Sequence, residues 1–179
     1  MVDRLRSKPG GEGIPVVIGD MATLEVTGSF RLVYVVFNTI FGLPTQDRQV
    51  ACFQRVGAVL EPGGCFLLEC FVPDIGRFDR GQSFRTISID DDAVRVDASI
   101  HDAATQQVTA ALIRIGNGEL SMRPMRLRYA WPSELDLMAR LGGLRLRDRW
   151  AGWDRAPFTD DSGMHISVYT KPLPGDQGS

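Results

Sequence analysis

The sequence predicts an α/β domain interrupted by an antiparallel β insert, and three observations carry that prediction. Two apolar runs, Phe30 to Phe37 and Cys65 to Phe71, have the β-branched and aromatic content of strands covered on both faces, and a helical pattern separates them. From about Phe84 to Tyr129 the apolar period changes from helical to two. After Tyr129 a helix pattern and then strand patterns return.

In chain order, Val2 to Ser7 reads as the tail of a helix, and Pro9 to Gly13 as a connecting loop. Ile14-Pro15-Val16-Val17-Ile18 reads as a short buried strand closed by Gly19-Asp20-Met21, and the run from Phe30 stops at Asn38-Thr39. Thr45 is placed to cap a helix over Gln46 to Leu60, where Val50, Phe53, Gly57 and Leu60 recur at helical spacing and Asp47 sits in the first turn. Glu61-Pro62-Gly63-Gly64 ends that helix, because proline cannot continue it and glycine accepts a left-handed cap. Strand, helix and strand in this order imply a right-handed parallel crossover.

In the insert Val94, Val96, Ala98 and Ile100 alternate with Arg95, Asp97, Ser99 and His101. Turn-like segments at 90–92, 102–106 and 116–118 divide it into four antiparallel strands, with Gly116-Asn117-Gly118 as a hairpin turn. A helix over Ser133 to Leu141, closed by Gly142-Gly143, leads to a strand at Leu144 to Trp150. A loop with Trp153, Phe158, Asp160 and Asp161 precedes the last strand, His165 to Tyr169, and residues 172–179 read as a frayed tail.

Composition narrows the function. A chain of 179 residues with 44% apolar and 23% charged residues is an ordinary single globular domain. A net charge of −2, with Lys8 and Lys171 the sole lysines and the arginines scattered, gives no general attraction to nucleic acid. No run approaches the ~20 apolar residues of a membrane span, and the N-terminus has no apolar run of signal-peptide length, so a cytoplasmic protein is expected. Cys52, Cys65 and Cys70 lie in apolar stretches and read as packing residues of a reducing compartment. With the two histidines they show no ligand spacing, so no metal is expected.

The run Val17-Ile18-Gly19-Asp20-Met21, then Phe30-Arg31-Leu32-Val33 leading to Phe37-Asn38-Thr39, then Leu60-Glu61-Pro62-Gly63-Gly64 before Cys65-Phe66-Leu67-Leu68-Glu69, resembles the second half of a class I S-adenosylmethionine-dependent methyltransferase. The insert followed by Tyr129-Ala130-Trp131-Pro132-Ser133-Glu134-Leu135 looks like the small-molecule branch of that family, which includes the aminosugar N,N-dimethyltransferases. The similarity covers about Val16 to Tyr169. It implies a Rossmann-like sheet of order 3-2-1-4-5-7-6 in which the Val16 strand is third, Phe30 to Phe37 fourth, Cys65 to Phe71 fifth, Leu144 to Trp150 sixth and Ile166 to Tyr169 seventh. The first two strands, the glycine-rich turn and the acidic end of the second strand have no counterpart. Gly10-Gly11-Glu12-Gly13 does not replace that turn, since a cofactor loop follows a strand and opens a helix.

Two expectations follow from that departure. The chain is a fragment in which Met1 is an internal methionine, and the edge of Phe30 to Phe37 is left bare, to be covered by the Val16 strand or by a completing chain.

The resemblance implies S-adenosylmethionine as cofactor and a small-molecule N or O acceptor. Asp20 would accept from the adenine amino group, with a turn aspartate as the alternative, and Met21 would pack on the ring. Phe37 and Asn38 would lie beside the methionine moiety, although Asn38 equally fits a turn former. Thr39 and Trp153 would face substrate, and Phe158 with Trp153 would cover it or pack in the core. Glu69, ending its strand in the same crevice, would hold or deprotonate an amine, with pairing to an arginine as the alternative. His165 is a better base than His101 by position, and a structural role competes with it. The insert would shape the acceptor pocket or mediate dimerisation. The leading reading is methyl transfer, impaired in this form; a non-catalytic remnant acting as an interaction module is the alternative.

Overall fold

The computed structural model describes residues 2–23 and 25–175. Met1 and the last four residues of the expected frayed tail lie outside the described residues. After the short helix α1 (Val2–Arg6), the chain builds two four-stranded sheets. The first has the order β1-β2-β8-β7, formed by β1 (Phe30–Val35), β2 (Leu60–Phe71), β8 (Met164–Thr170) and β7 (Arg145–Trp150). Strands β1 and β2 are parallel and joined by α2 (Gln46–Val59), whereas β8 runs antiparallel to both of its neighbours. The second sheet is the meander β3 (Gln82–Asp90), β4 (Ala93–Asp102), β5 (Gln107–Gly116) and β6 (Glu119–Arg128). Helix α3 (Pro132–Leu141) returns the chain to the first sheet.

Local chemistry explains most boundaries. The Thr45 hydroxyl accepts the Arg48 N–H at 3.3 Å and so caps α2. At the other end Lys171 Nζ donates to the carbonyls of Gly57 and Leu60, both at 2.8 Å, satisfying acceptors that a helix terminus leaves open. Asn117 and Gly118, at φ 51° and 75°, give the β5–β6 hairpin the two left-handed residues of a type I′ turn.

The structure corrects three expectations. Residues 14–18 form no strand: they join no ladder, and Val17 and Ile18 are 61% and 83% exposed. An apolar run becomes a strand only where a neighbour completes its hydrogen bonds, and neither edge of the first sheet pairs with this segment. The Phe30 run is not covered on both faces, since Leu32 and Tyr34 are 56% and 64% exposed while Val33 and Val35 pack on the core. It is an edge strand with one bare face. The proline-glycine segment at 61–64 lies inside β2, because Leu60 already pairs with Phe30, and the Gly63 N–H is taken by the Lys171 carbonyl at 2.8 Å.

The core lies between the first sheet and the two helices. Phe66, Leu68 and Cys70 of β2 are fully buried there with Phe53 of α2 and Tyr169 of β8, and the Phe53 ring meets Phe66 and Tyr169 edge-on. Helices α2 and α3 approach closely at Gly57, where an added Cβ would fall 1.9 Å from the Gly142 carbonyl oxygen. A buried polar network ties the meander to both helices. The Arg128 guanidinium, at the end of β6, donates to Gln49 of α2 at 2.6 Å and to Glu134 of α3 at 2.7 Å.

Candidate functional site

At the carboxyl end of β1, Phe37 and Asn38 both adopt left-handed backbone, φ 58° and 59°. For non-glycine residues this costs on the order of 1 kcal/mol or more each and persists where the surroundings overdetermine it. Four hydrogen bonds do so here. The Phe37 N–H donates to Glu69 Oε2 at 2.9 Å, and the Asn38 N–H to the Glu69 carbonyl at 3.3 Å. Asn38 Oδ1 accepts the Phe71 N–H at 2.6 Å, and the Thr39 hydroxyl donates to the Val36 carbonyl at 2.6 Å. The Phe37 ring is left 81% exposed.

This turn forms one wall of a cavity of about 640 Å³, within the range of small-molecule sites. Phe37, Asn38, Thr39 and Phe71 face the meander across it, and Val108, Ala110, Met125, Leu127 and Tyr129 form the opposite wall. Asp74, Arg77, Phe78, Arg85, Asp97 and Arg126 add charge and one further ring. Asp97 pairs with Arg85 at 3.7 Å and accepts from the Ser99 hydroxyl, so its carboxylate is fixed. Tyr129 Oη lies 2.9 Å from His101 Nε2, and the imidazole stacks on Phe78 with ring centres 4.7 Å apart. Burial raises the pKa of the Tyr129 phenol.

The residues singled out in the sequence divide between this cavity and its surroundings. Phe37, Asn38 and Thr39 line it. Glu69 does not line it but supports the turn from behind, and its Oε1 accepts the Trp153 indole N–H at 3.3 Å. Glu69 is therefore satisfied by N–H donors, not by an arginine, and Trp153 stays 59% exposed. Asp20 forms an ion pair with Arg48 and accepts the Ala22 N–H at 2.8 Å; the backbone bond and then the arginine hold its carboxyl below the usual range, even against desolvation. Met21 packs against the core, and neither it nor Asp20 lines the cavity.

His165 is fully buried and also absent from the cavity wall. Its Nδ1 is 2.8 Å from the Ser167 hydroxyl, its Nε2 has no partner, and burial, with the nearby Arg149 charge, pushes its pKa down to about 4. Phe158 lies edge-on to it at 6.0 Å. The histidine that reaches the cavity wall is His101, through Tyr129. Sequence order alone favours the opposite assignment, because only the pairing of β4 with β5 and the path of β6 bring residues 101 and 129 together. Asp97 and Arg85 were likewise missed, although they share the face of the alternating pattern that carries His101.

Cys52 and Cys70 are buried, and burial raises both thiol pKa values, that of Cys52 to about 11; Cys65 is half-buried beside Arg147. Among the described residues no three His, Cys, Asp or Glu side chains are grouped to hold a metal. No described helix is long and apolar enough to cross a membrane.

A parallel β1-α2-β2 unit beside an antiparallel last strand, with a cavity at the strands' carboxyl ends, defines a Rossmann-like α/β protein. Comparison with solved structures narrows this. The methyltransferase CcbJ from Streptomyces caelestis is 37% identical with a TM-score of 0.88, over 95% of this chain and 73% of that one. CalS10 from Micromonospora echinaspora, an amino pentose methyltransferase solved with S-adenosylmethionine, matches at TM-score 0.62 and 21% identity over 86% of this chain and 63% of its own, a likeness of fold. The cypemycin N-terminal methyltransferase of a Streptomyces species is 26% identical over 161 residues, 88% of this chain, which spans 65% of that relative's length. No family model matches the sequence. The chain belongs to the S-adenosylmethionine-dependent methyltransferases.

Proposed function

We propose that this chain carries the acceptor half of a methyl-transfer site and that its acceptor is a small-molecule amine held in the 640 Å³ cavity. The observation that carries the reading is the position of that cavity between the strained Phe37-Asn38 turn and the meander. A group bound at the strand ends and an acceptor held by the meander would meet there. The name of one relative, a cypemycin N-terminal methyltransferase, supports nitrogen as the methylated atom.

S-adenosylmethionine supplies an electrophilic methyl group on a sulfonium. The chain's residues have to align, desolvate and deprotonate. The exposed Phe37 ring offers an apolar face at the strand end, and Asp20, Met21 and Asn38 complete the proposed cofactor contacts. Asp20, 45% exposed at its side chain, keeps acceptor capacity beyond Arg48 and Ala22. Asn38 contributes through shape, since its side-chain oxygen is taken by Phe71. Glu69 acts by holding the turn, Thr39 borders the acceptor and the Trp153 indole N–H donates to Glu69. His165 keeps its place as a neutral core histidine. A carboxylate as fixed as Asp97 suits an acceptor ammonium before it loses its proton.

Among the described residues no glycine-rich turn follows a strand and opens a helix, so this chain holds the cofactor weakly. Titration calorimetry with S-adenosylhomocysteine tests this: binding weaker than micromolar is expected, and micromolar affinity contradicts it. A second reading, an interaction module, has one observation in its favour, the bare face and edge of β1 at Leu32 and Tyr34. Analytical ultracentrifugation separates the two. A chain that transfers methyl groups equally well with and without Leu32→Lys is an enzyme; one that transfers none and forms a defined complex that Leu32→Lys breaks is a module.

A further inference from the structure

Strands β4 and β6 bring together a pair of residues that neither the strand-end turn nor Glu69 duplicates. Tyr129 follows the last residue of β6 and borders the cavity, with only 4% of its surface exposed. Its hydroxyl lies 2.9 Å from Nε2 of His101 on β4. Three further contacts hold His101 and its ring. Its own N–H on the backbone donates to the Gly81 carbonyl at 2.7 Å, Phe78 stacks on one face at 4.7 Å, and the Tyr129 ring lies tilted at 5.6 Å. A phenol on a cavity wall, hydrogen-bonded to an ordered imidazole behind it, is a path for moving one proton out of an apolar space.

We propose that Tyr129, positioned by His101, takes the proton released at the acceptor nitrogen; the inference rests on the reading of the cavity as an amine site. The neutral amine uses its lone pair to form the N–C bond to the methyl carbon, and the C–S bond breaks with its electrons going to sulfur. The positive charge then sits on nitrogen. The N–H proton passes to Tyr129 Oη as the Tyr129 hydroxyl proton passes to His101 Nε2, leaving a neutral methylamine, a neutral phenol and an imidazolium. Asp102, next in the strand, supplies negative charge beside that imidazolium. The other charged groups facing the pair are Arg77, stacked on Phe78, and the Arg128–Glu134 ion pair next to Tyr129. His101 is a positioning residue here, since it acts through Tyr129, and the path requires its Nε2 to be unprotonated in the resting protein.

With only two histidines in the chain, the tautomer is directly readable by nitrogen-15 NMR of histidine-labelled protein. The expected spectrum has His101 protonated at Nδ1, and Tyr129→Phe shifts its Nε2 resonance without affecting His165. A proton resident on Nε2 overturns the path. Methyl transfer by the full chain, at saturating S-adenosylmethionine with a dipeptide amine and an amino pentose as probes, supplies the second readout. His101→Gln and Tyr129→Phe should each lower kcat about a hundredfold with KM little changed. Unchanged kcat in either variant, or a loss confined to KM, overturns the proposal. No transfer by the wild type to either amine, with the Nδ1 tautomer present, overturns the amine reading and the catalytic role together while leaving the hydrogen bond established.

Discussion

Asn38 Oδ1 accepts the Phe71 backbone N–H at 2.6 Å, so the turn that ends β1 is fastened to the last residue of β2 by a side chain. The bond makes Asn38 a clamp as well as a left-handed residue, and the two contributions separate by substitution. Asn38→Gly keeps the backbone conformation and loses the acceptor, which leaves the Phe71 N–H without its partner and costs about 1 to 2 kcal/mol. Asn38→Val loses both and adds a β-branched residue at φ 59°, for about 2 to 4 kcal/mol. Urea denaturation of the two variants checks the ordering; equal losses contradict the clamp.

The buried His165 predicts a pH dependence. Its pKa is about 4 in the folded chain against an ordinary value of 6.5, so between these values the unfolded chain binds more protons. Stability from this group is present above pH 6.5 and declines as pH falls toward 4, by about 3 kcal/mol in full. His165→Gln removes that dependence. The difference in urea midpoint between wild type and variant, measured from pH 7 to pH 4.5, should change steeply across this window, and a flat difference contradicts a neutral buried imidazole.

The Arg128–Glu134 pair anchors the meander to α3 with both side chains largely buried, 8% and 14% exposed. Burial raises the Glu134 pKa, but hydrogen bonds from Gln106, Arg128 and Gln46 outweigh it and the net direction is down. Removing the carboxylate in Glu134→Ala leaves a buried guanidinium without its anion and should cost about 3 kcal/mol. Arg128→Met with Glu134→Leu, which removes both charges, should recover much of that loss. Thermal unfolding of the single and double variants checks it, and a double variant no better than Glu134→Ala contradicts the account.

Glu69 Oε1 and the Trp153 indole meet at 3.3 Å on an exposed surface, so their coupling should be small. A double-mutant cycle of Glu69→Ala and Trp153→Phe is expected to give about 0.5 kcal/mol. The larger part of the Glu69→Ala loss belongs to the Phe37 N–H. A coupling that accounts for the whole loss contradicts that division.

Elements whose signals are local were legible in the sequence. The Thr45 cap, α2, the Asn117-Gly118 hairpin and the alternation of the meander each depend on neighbours within a few residues, and the structure places them within a residue or two of expectation. Burial was less legible, because the composition of Phe30 to Val35 is that of a central strand whereas its exposure depends on what else pairs and packs there. Residues 14–18 show the same limit: an apolar run without a partner strand remains an extended segment. Of the candidate site, the strand-end residues Phe37, Asn38 and Thr39 were found by position. Tyr129 and His101 were not, since they are 28 residues apart and meet through the register of the second sheet.

The central claim, that the cavity between the Phe37-Asn38 turn and the meander receives the methyl acceptor, is tested most directly by filling it. Ala110, buried on the meander wall, replaced by Trp would occupy the acceptor space without touching the strand-end turn. Transfer of tritiated methyl from saturating S-adenosylmethionine to a dipeptide amine and an amino pentose should be abolished in Ala110→Trp, while affinity for S-adenosylhomocysteine matches the wild type. Undiminished transfer by Ala110→Trp, or no transfer by the wild type at saturating cofactor, would contradict the claim.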